Sequence, residues 1–227
     1  LPSFFPQLME IFRPNNLQKF LKSLGVRAKK ALSQNFLIDG NVIKKMVATA
    51  DLSPGDVVLE IGPGPGALTQ ALLKQGSTVL AIEKDNVFAE ALTKLPFEKG
   101  HLEVYNDNIL SFPIEEKLSQ LLKPGKKAKV VANLPYHLTT PILSRLMDMK
   151  DYISSIQVML QNEVARRMTA SPCSKEYGSL TVYLEYYAKV TYAFKVSNHC
   201  FYPKPKVNSA FVSLLLREKP KLSSEKK

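Results

Sequence analysis

Three glycines in five residues, Gly62-Pro63-Gly64-Pro65-Gly66, stand between a short apolar run, Val57-Val58-Leu59-Glu60-Ile61, and a helix-patterned stretch that starts at Ala67 and stops at Gly76. A chain that leaves a strand and enters a helix through so few residues bends where a Cβ would obstruct it. Glycine removes that obstruction and lets bare backbone approach a ligand. Glu83 ends the next strand-like run, Thr78–Glu83, 21 residues after Gly62, where an acid can accept hydrogen bonds from ribose hydroxyls. Loop and acid together predict a βαβ unit that binds an adenosine-containing cofactor. They leave the cofactor open: Gly62-x-Gly64-x-x-Ala67 also fits the dinucleotide pattern, and the acid serves the ribose of a nicotinamide dinucleotide equally well.

The alternation continues on both sides of the loop. Strand-like runs at 102–106, 129–133 and 155–160 are separated by helical patterns at 86–95, 114–122 and 141–148, which predicts an α/β fold with a mostly parallel sheet and helices on both faces. Helical patterns at 16–24 and 41–50 precede the loop, and others at 162–170 and 178–188 follow. Two late strand-like runs, 192–196 and 207–216, are joined by a connector whose Pro203 and Pro205 exclude helix. With 227 residues, 45% hydrophobic and 22% charged, the chain suits one large domain with a small appendage and is not disordered, collagenous or membrane-spanning. Cys173 and Cys200 lie far apart, and the three histidines are scattered. That argues against a disulfide framework and a zinc site, and it fits a cytoplasmic protein.

The net charge of +11 is unevenly placed: +6 in residues 1–50, −1 in 51–150 and +6 in 151–227. A neutral ligand-binding centre flanked by basic ends predicts contact with a polyanion. Arg27, Lys29 and Lys30 precede a patterned segment, whereas the last lysines lie in a polar tail.

Two further motifs bear on chemistry. Asn133-Leu134-Pro135-Tyr136 closes the fourth strand-like run, so it should face the reactive end of a cofactor bound at the carboxyl edge of the sheet. The exocyclic amine of adenine is a poor nucleophile because its lone pair is delocalised. A side-chain carbonyl on Asn133 and a main-chain carbonyl on Leu134 could hold its two N–H bonds, while Pro135 stiffens the turn without a competing donor. Tyr136 would offer a stacking face, favourable also to a methyl sulfonium. Catalysis would then rest on orientation and electrostatics, with no metal. Asp107, ending the third run, could accept from an adenine amino group or simply cap a helix. In Phe201-Tyr202-Pro203-Lys204-Pro205-Lys206, Phe201 is expected as the second wall of a base pocket, with Lys204 and Lys206 on phosphates.

With these residues in view, the chain resembles the ribosomal RNA adenine N6,N6-dimethyltransferases, most closely the small-subunit, kasugamycin-resistance branch. The resemblance covers about residues 25–217. It rests on Gln34-Asn35-Phe36-Leu37, the glycine loop, Glu83, Asp107, Asn133–Tyr136, the segment 159–168 (MLQNEVARRM) and the segment 201–209 (FYPKPKVNS). It implies a Rossmann-like, class I S-adenosylmethionine-dependent methyltransferase with a seven-stranded sheet. The implied cofactor set is Asn35, Leu37, Gly62, Gly64, Glu83, Asp107 and Asn133, with Asn35 and Leu37 approaching from the N-terminal side, Gly62 under the methionine portion, Glu83 on the ribose and Asp107 on the adenine. The catalytic set is Asn133, Leu134, Pro135, Tyr136 and Phe201, and the RNA-binding set Arg27, Lys29, Lys30, Lys204 and Lys206. The implied substrate is small-subunit ribosomal RNA in a pre-assembled subunit, with a monomeric enzyme and no membrane. The related erythromycin-resistance enzymes, which modify large-subunit RNA, are disfavoured by Pro63 and Pro65 in the loop and by Leu134 in the turn. A non-catalytic nucleic-acid-binding relative is disfavoured by the intact Glu83, Asp107, Asn133 and Tyr136, and a nicotinamide-dependent oxidoreductase by the lack of a substrate-side acid/base set. The expected organisation is a helical extension at 1–24, a catalytic domain at 25–217 and a basic tail at 218–227. The small helical domain that usually follows in the family is expected to be absent or truncated.

Overall fold

The computed structural model describes residues 10–28 and 34–219. In chain order the elements are α1 (Pro14–Ser23), β1 (Phe36–Leu37), α2 (Gly40–Ala50), β2 (Val57–Ile61), α3 (Ala67–Lys74), β3 (Thr78–Glu83), α4 (Asn86–Thr93), β4 (His101–Asn106), α5 (Ile114–Leu121), β5 (Ala128–Asn133), α6 (Thr139–Met147), β6 (Ile153–Gln161), α7 (Asn162–Met168), α8 (Ser179–Tyr187), β7 (Ala188–Val196), β8 (Phe201–Tyr202) and β9 (Ser209–Leu216). Seven strands form one sheet in the order β4-β3-β2-β5-β6-β9-β7. The first five are parallel, and β9 lies antiparallel between β6 and β7. β1 and β8 form a separate antiparallel ribbon.

The strands read as apolar runs because both faces are covered. Leu59, Ile61, Leu80, Ile82, Val130 and Ala132 enter one core with Leu118 of α5, Leu146 of α6, Met168 of α7 and Leu184 of α8. The alternate residues Val58, Val79, Ala81 and Val131 enter the other with Leu17 and Phe20 of α1, Met46 of α2, Leu72 of α3 and Phe88 of α4. The period of two along each strand thus places α1–α4 on one face and α5–α8 on the other. Helix starts are locally specified: the Asp39 carboxylate accepts from the amides of Asn41 and Val42 at α2, and Asp85 accepts from Val87 at α4.

Because Leu17, Phe20 and Leu21 of α1 are buried in the same core as the sheet, the helix of the expected N-terminal extension packs as part of the domain. Of the expected tail, Glu218 and Lys219 are described and residues 220–227 lie outside the described residues. No helix among the described residues is long and apolar enough to cross a membrane. The chain runs β2, β3, β4 outward on one side and then β5, β6 on the other, and this reversal opens a crevice at the carboxyl ends of β2 and β5.

Candidate active site

A cavity of about 320 Å³ opens in that crevice, lined by the ends of β2, β3 and β5, by Asp107 beyond β4, by the glycine loop and by the Gln34–Leu37 segment. Gly62, Gly64 and Gly66 all hold positive φ, at 64°, 55° and 92°, where a Cβ is strained. At Gly64 a Cβ would also come within 3.2 Å of the Phe36 ring. The loop is therefore bare backbone beneath the cavity.

Glu83 reaches back under this loop. Its Oε2 accepts from the Gly64 amide at 2.8 Å and its Oε1 from the Asp85 amide at 2.8 Å. Burial raises its pKa, and these two backbone donors oppose the rise. Each carboxylate oxygen keeps a second lone pair, so the side chain is oriented and can still accept hydroxyl donors. Asp107 lies next to Glu83 at the end of the neighbouring strand, its amide donating to the Glu83 carbonyl at 3.1 Å; its side chain is exposed, with Oδ1 accepting from the Asn108 amide at 2.6 Å.

At the mouth, Asn133 Nδ2 donates to the main-chain carbonyl of Asn35 at 3.1 Å. A carbonyl can only accept, so this contact decides which end of the amide faces which way and leaves Oδ1 as the end available to the cavity. Leu134 is buried and its amide donates to the Met159 carbonyl at 3.0 Å. Pro135 holds φ at −64°. The half-buried Tyr136 shares a 2.7 Å hydrogen bond with the hydroxyl of Ser209, which orients its ring. Gln34 Nε2 donates to Asp85 Oδ2 at 3.0 Å, and Phe36 and Leu37 pair with Tyr202 and Phe201. Segments that read from the residues as a loop and an extended connector are therefore one ribbon, whose Phe36–Leu37 strand lines the cavity.

Phe201 differs from its expected place. It is 2% exposed, packs in the α1–α4 core and does not line the cavity, so it presents no open ring face. Side chains alternate along a strand, and with Phe201 turned inward it is Tyr202, 40% exposed, that faces out. Arg27, Lys204 and Lys206 are exposed and outside the cavity. Lys204 Nζ lies 3.0 Å from His199 Nε2. Lys29 and Lys30 lie outside the described residues.

The residue the motifs did not single out is Glu60. It is 1% exposed, lines the cavity and leaves Oε2 without a hydrogen-bond partner. Burial pushes its pKa up to about 8. A lone charge inside Val57–Ile61 was the signal available in the sequence.

Residues 25–226 match the family described as Ribosomal RNA adenine dimethylase. The chain belongs to that family. This dimethylase is 52% identical over 212 residues to a Ribosomal RNA small subunit methyltransferase A of Protochlamydia amoebophila, covering 93% of this chain and 75% of the relative. It is 51% identical to the protein of the same name from Chlamydia muridarum, over 89% of this chain and 71% of the relative. Among solved structures it is similar to a dimethyladenosine transferase from Plasmodium falciparum, with a TM-score of 0.70 and 29% identity over 81% of this chain and 64% of that one. It is also similar to the 23S rRNA methyltransferase ErmE, with a TM-score of 0.68 and 30% identity over 84% of this chain and 73% of that one. The dimethylase has the class I methyltransferase architecture and depends on S-adenosylmethionine. Its cavity suits that cofactor: bare backbone at Gly62 and Gly64, an acceptor pair on Glu83, and a buried, unpartnered carboxyl oxygen on Glu60 that a cationic group would satisfy.

Proposed function

We propose that this dimethylase transfers methyl groups from S-adenosylmethionine to the N6 amines of two adjacent adenines in small-subunit (16S-type) ribosomal RNA, presented in the pre-assembled subunit to a monomeric enzyme. The cofactor supplies a methyl group already activated on a sulfonium. Glu83 would hold the ribose, Asp107 the adenine, and the Gly62–Gly64 backbone together with Asn35 and Leu37 the remainder. The orientation of Asn133 carries the reading: with Nδ2 bound to the Asn35 carbonyl, Oδ1 can accept a hydrogen bond from one N–H of the target amine and turn its lone pair toward the methyl group. The Leu134 carbonyl would accept from the second N–H, the methylated ammonium would release one proton to solvent after transfer, and Tyr136, tethered through Ser209, would stack on the base. Arg27, Lys29, Lys30, Lys204 and Lys206 would meet RNA phosphates. These residues would act by orientation and electrostatic placement.

Identity of 52% to a relative named for the small subunit, against 30% to ErmE, favours the small subunit over the large. The test offers labelled S-adenosylmethionine to undermethylated small subunits, large subunits and naked RNA, then maps the modified bases. Label on two adjacent adenines of the small subunit is expected. Label confined to large subunits would overturn the assignment.

A further inference from the structure

A second concavity lies beside the cofactor cavity, between α1 and the end of β8. Its walls include Gln18, Leu21 and Lys22 of α1, then Arg27, and across from them Tyr202 and Pro203. Leu21 is buried, Lys22 and Arg27 are exposed, and Tyr202 is 40% exposed. Among the described residues neither Lys22 nor Arg27 forms an ion pair, and none that lines the groove is acidic. An open aromatic face with two unneutralised cations and no acid suits a base attached to phosphate.

The groove and the methyl-transfer site are built on the same two elements, α1 and the β1–β8 ribbon. Tyr202 pairs with Phe36 and Phe201 with Leu37. Asn35, Phe36 and Leu37 line the cofactor cavity, and the carbonyl of Asn35 holds Asn133. On α1, Leu17 lines the cavity while Gln18 lines the groove. A strand lodged in the groove would thus be held by the same ribbon that positions Asn133.

We propose that this groove binds a nucleotide flanking the target adenine in the RNA strand, with Tyr202 stacked on its base and Lys22 and Arg27 on its phosphates. The inference rests on RNA being the substrate. It assigns to Tyr202 an aromatic contact with RNA in addition to that of Tyr136, which the inward Phe201 does not supply.

The chain has no tryptophan, so Tyr202→Trp places a single fluorescent reporter in the groove. Titration with a short adenine-containing single-stranded oligoribonucleotide should quench it. Adding Lys22→Ala and Arg27→Ala should weaken that binding about 10-fold and lower the log–log salt slope by about 1.4, as expected for two single-strand phosphates. In the methylation assay, Tyr202→Ala should raise KM for undermethylated small subunits about 10-fold, a loss typical of one stacked base, with kcat and cofactor affinity unchanged. Tyr202→Phe should restore KM. An unquenched reporter, or a wild-type KM for Tyr202→Ala, would overturn the proposal while leaving small-subunit methylation standing. Quenching by an acidic peptide and not by the oligoribonucleotide would overturn it in favour of a protein partner. If the wild-type protein labels no small subunit, the functional assignment fails, and the quenching experiment still decides the groove.

Discussion

Glu60 offers a sharp physical test of the cavity, because its cost to the protein can be worked out. The side chain belongs to the penultimate residue of an otherwise apolar strand, 1% exposed, with no hydrogen-bond partner for Oε2. Burial lifts its pKa from 4.5 to about 8; the Thr69 hydroxyl opposes that rise and the neighbouring Glu83 carboxylate adds to it. An acid whose folded pKa lies above its unfolded value keeps a proton in the native state that the unfolded chain has released, so stability falls as pH rises between the two values. Each pH unit in that window costs about 1.4 kcal/mol, which amounts to roughly 3 kcal/mol by pH 7.

Glu60→Gln preserves the shape and removes the titration. Ligand-free wild type and variant should therefore unfold within about 1 kcal/mol of one another at pH 5. By pH 8 the variant should be the more stable by about 4 kcal/mol, on the order of 10 °C in Tm for a domain of this size. Calorimetric or urea unfolding at half-unit steps from pH 5 to 8 reads the difference. Burial raises the pKa of Glu83 as well, but that background falls in both proteins alike, so the diagnostic quantity is the gap between the curves and not the slope of either. Parallel curves across the whole range would mean that Glu60 is ionised at no cost, with water or a counter-charge reaching Oε2.

Three other outcomes are expected. Asn133→Ala should lower single-turnover methyl transfer by about 10²–10³-fold with cofactor affinity little changed, as for loss of one orienting acceptor; unchanged turnover would remove Asn133 from the chemistry. Gly66→Ala forces a side chain onto φ 92° with its Cβ 2.9 Å from Leu92 Cδ2, and should destabilise the protein by roughly 1–3 kcal/mol in urea unfolding; an unchanged midpoint would show that the loop adapts freely. Lys204→Glu with Lys206→Glu should weaken RNA binding and flatten its salt dependence, and a wild-type slope in filter-binding assays at several salt concentrations would leave that connector only structural.

The centre of the main sheet was readable from the residues because its strands are buried on both faces. β2, β3, β5 and β6 carry apolar runs, and glycines at 62, 76 and 125 mark where they start or stop, whereas the edge strand β4 is only partly buried. The ribbon of β1 and β8 was not readable, for a physical reason. Two residues give no periodicity to detect, and Phe36–Leu37 becomes strand only because Phe201–Tyr202, far along the chain, lies against it. Without that pairing the faces of the second segment are undetermined, and an inward Phe201 with an outward Tyr202 is the reverse of what the motif suggests for a base pocket. α1 shows the same limit: its amphipathic pattern is visible, yet that its apolar face joins the sheet core and helps to line the cavity follows only from tertiary packing.

The site divides along the same line. Gly64 and Glu83 are only 19 residues apart and their hydrogen bond closes within one βαβ unit, so local spacing was enough to pair a bare backbone with a ribose-facing acid. Asn133 depends on a carbonyl 98 residues away to orient its amide, and Tyr136 on a hydroxyl 73 residues away to orient its ring. In a reaction that relies on holding a weakly nucleophilic amine in one orientation, those distant contacts set the geometry of the acceptors. The pairing of the loop with the ribose-facing acid is thus built into a single contiguous stretch of chain, whereas methyl transfer also requires the β1–β8 ribbon and the start of β9 to be docked. Truncating Phe201, which packs the ribbon into the core without lining the cavity, should therefore lower turnover before it lowers cofactor affinity, whereas truncating the outward Tyr202 should leave turnover intact; the reverse order for Phe201 would place the orienting contacts elsewhere.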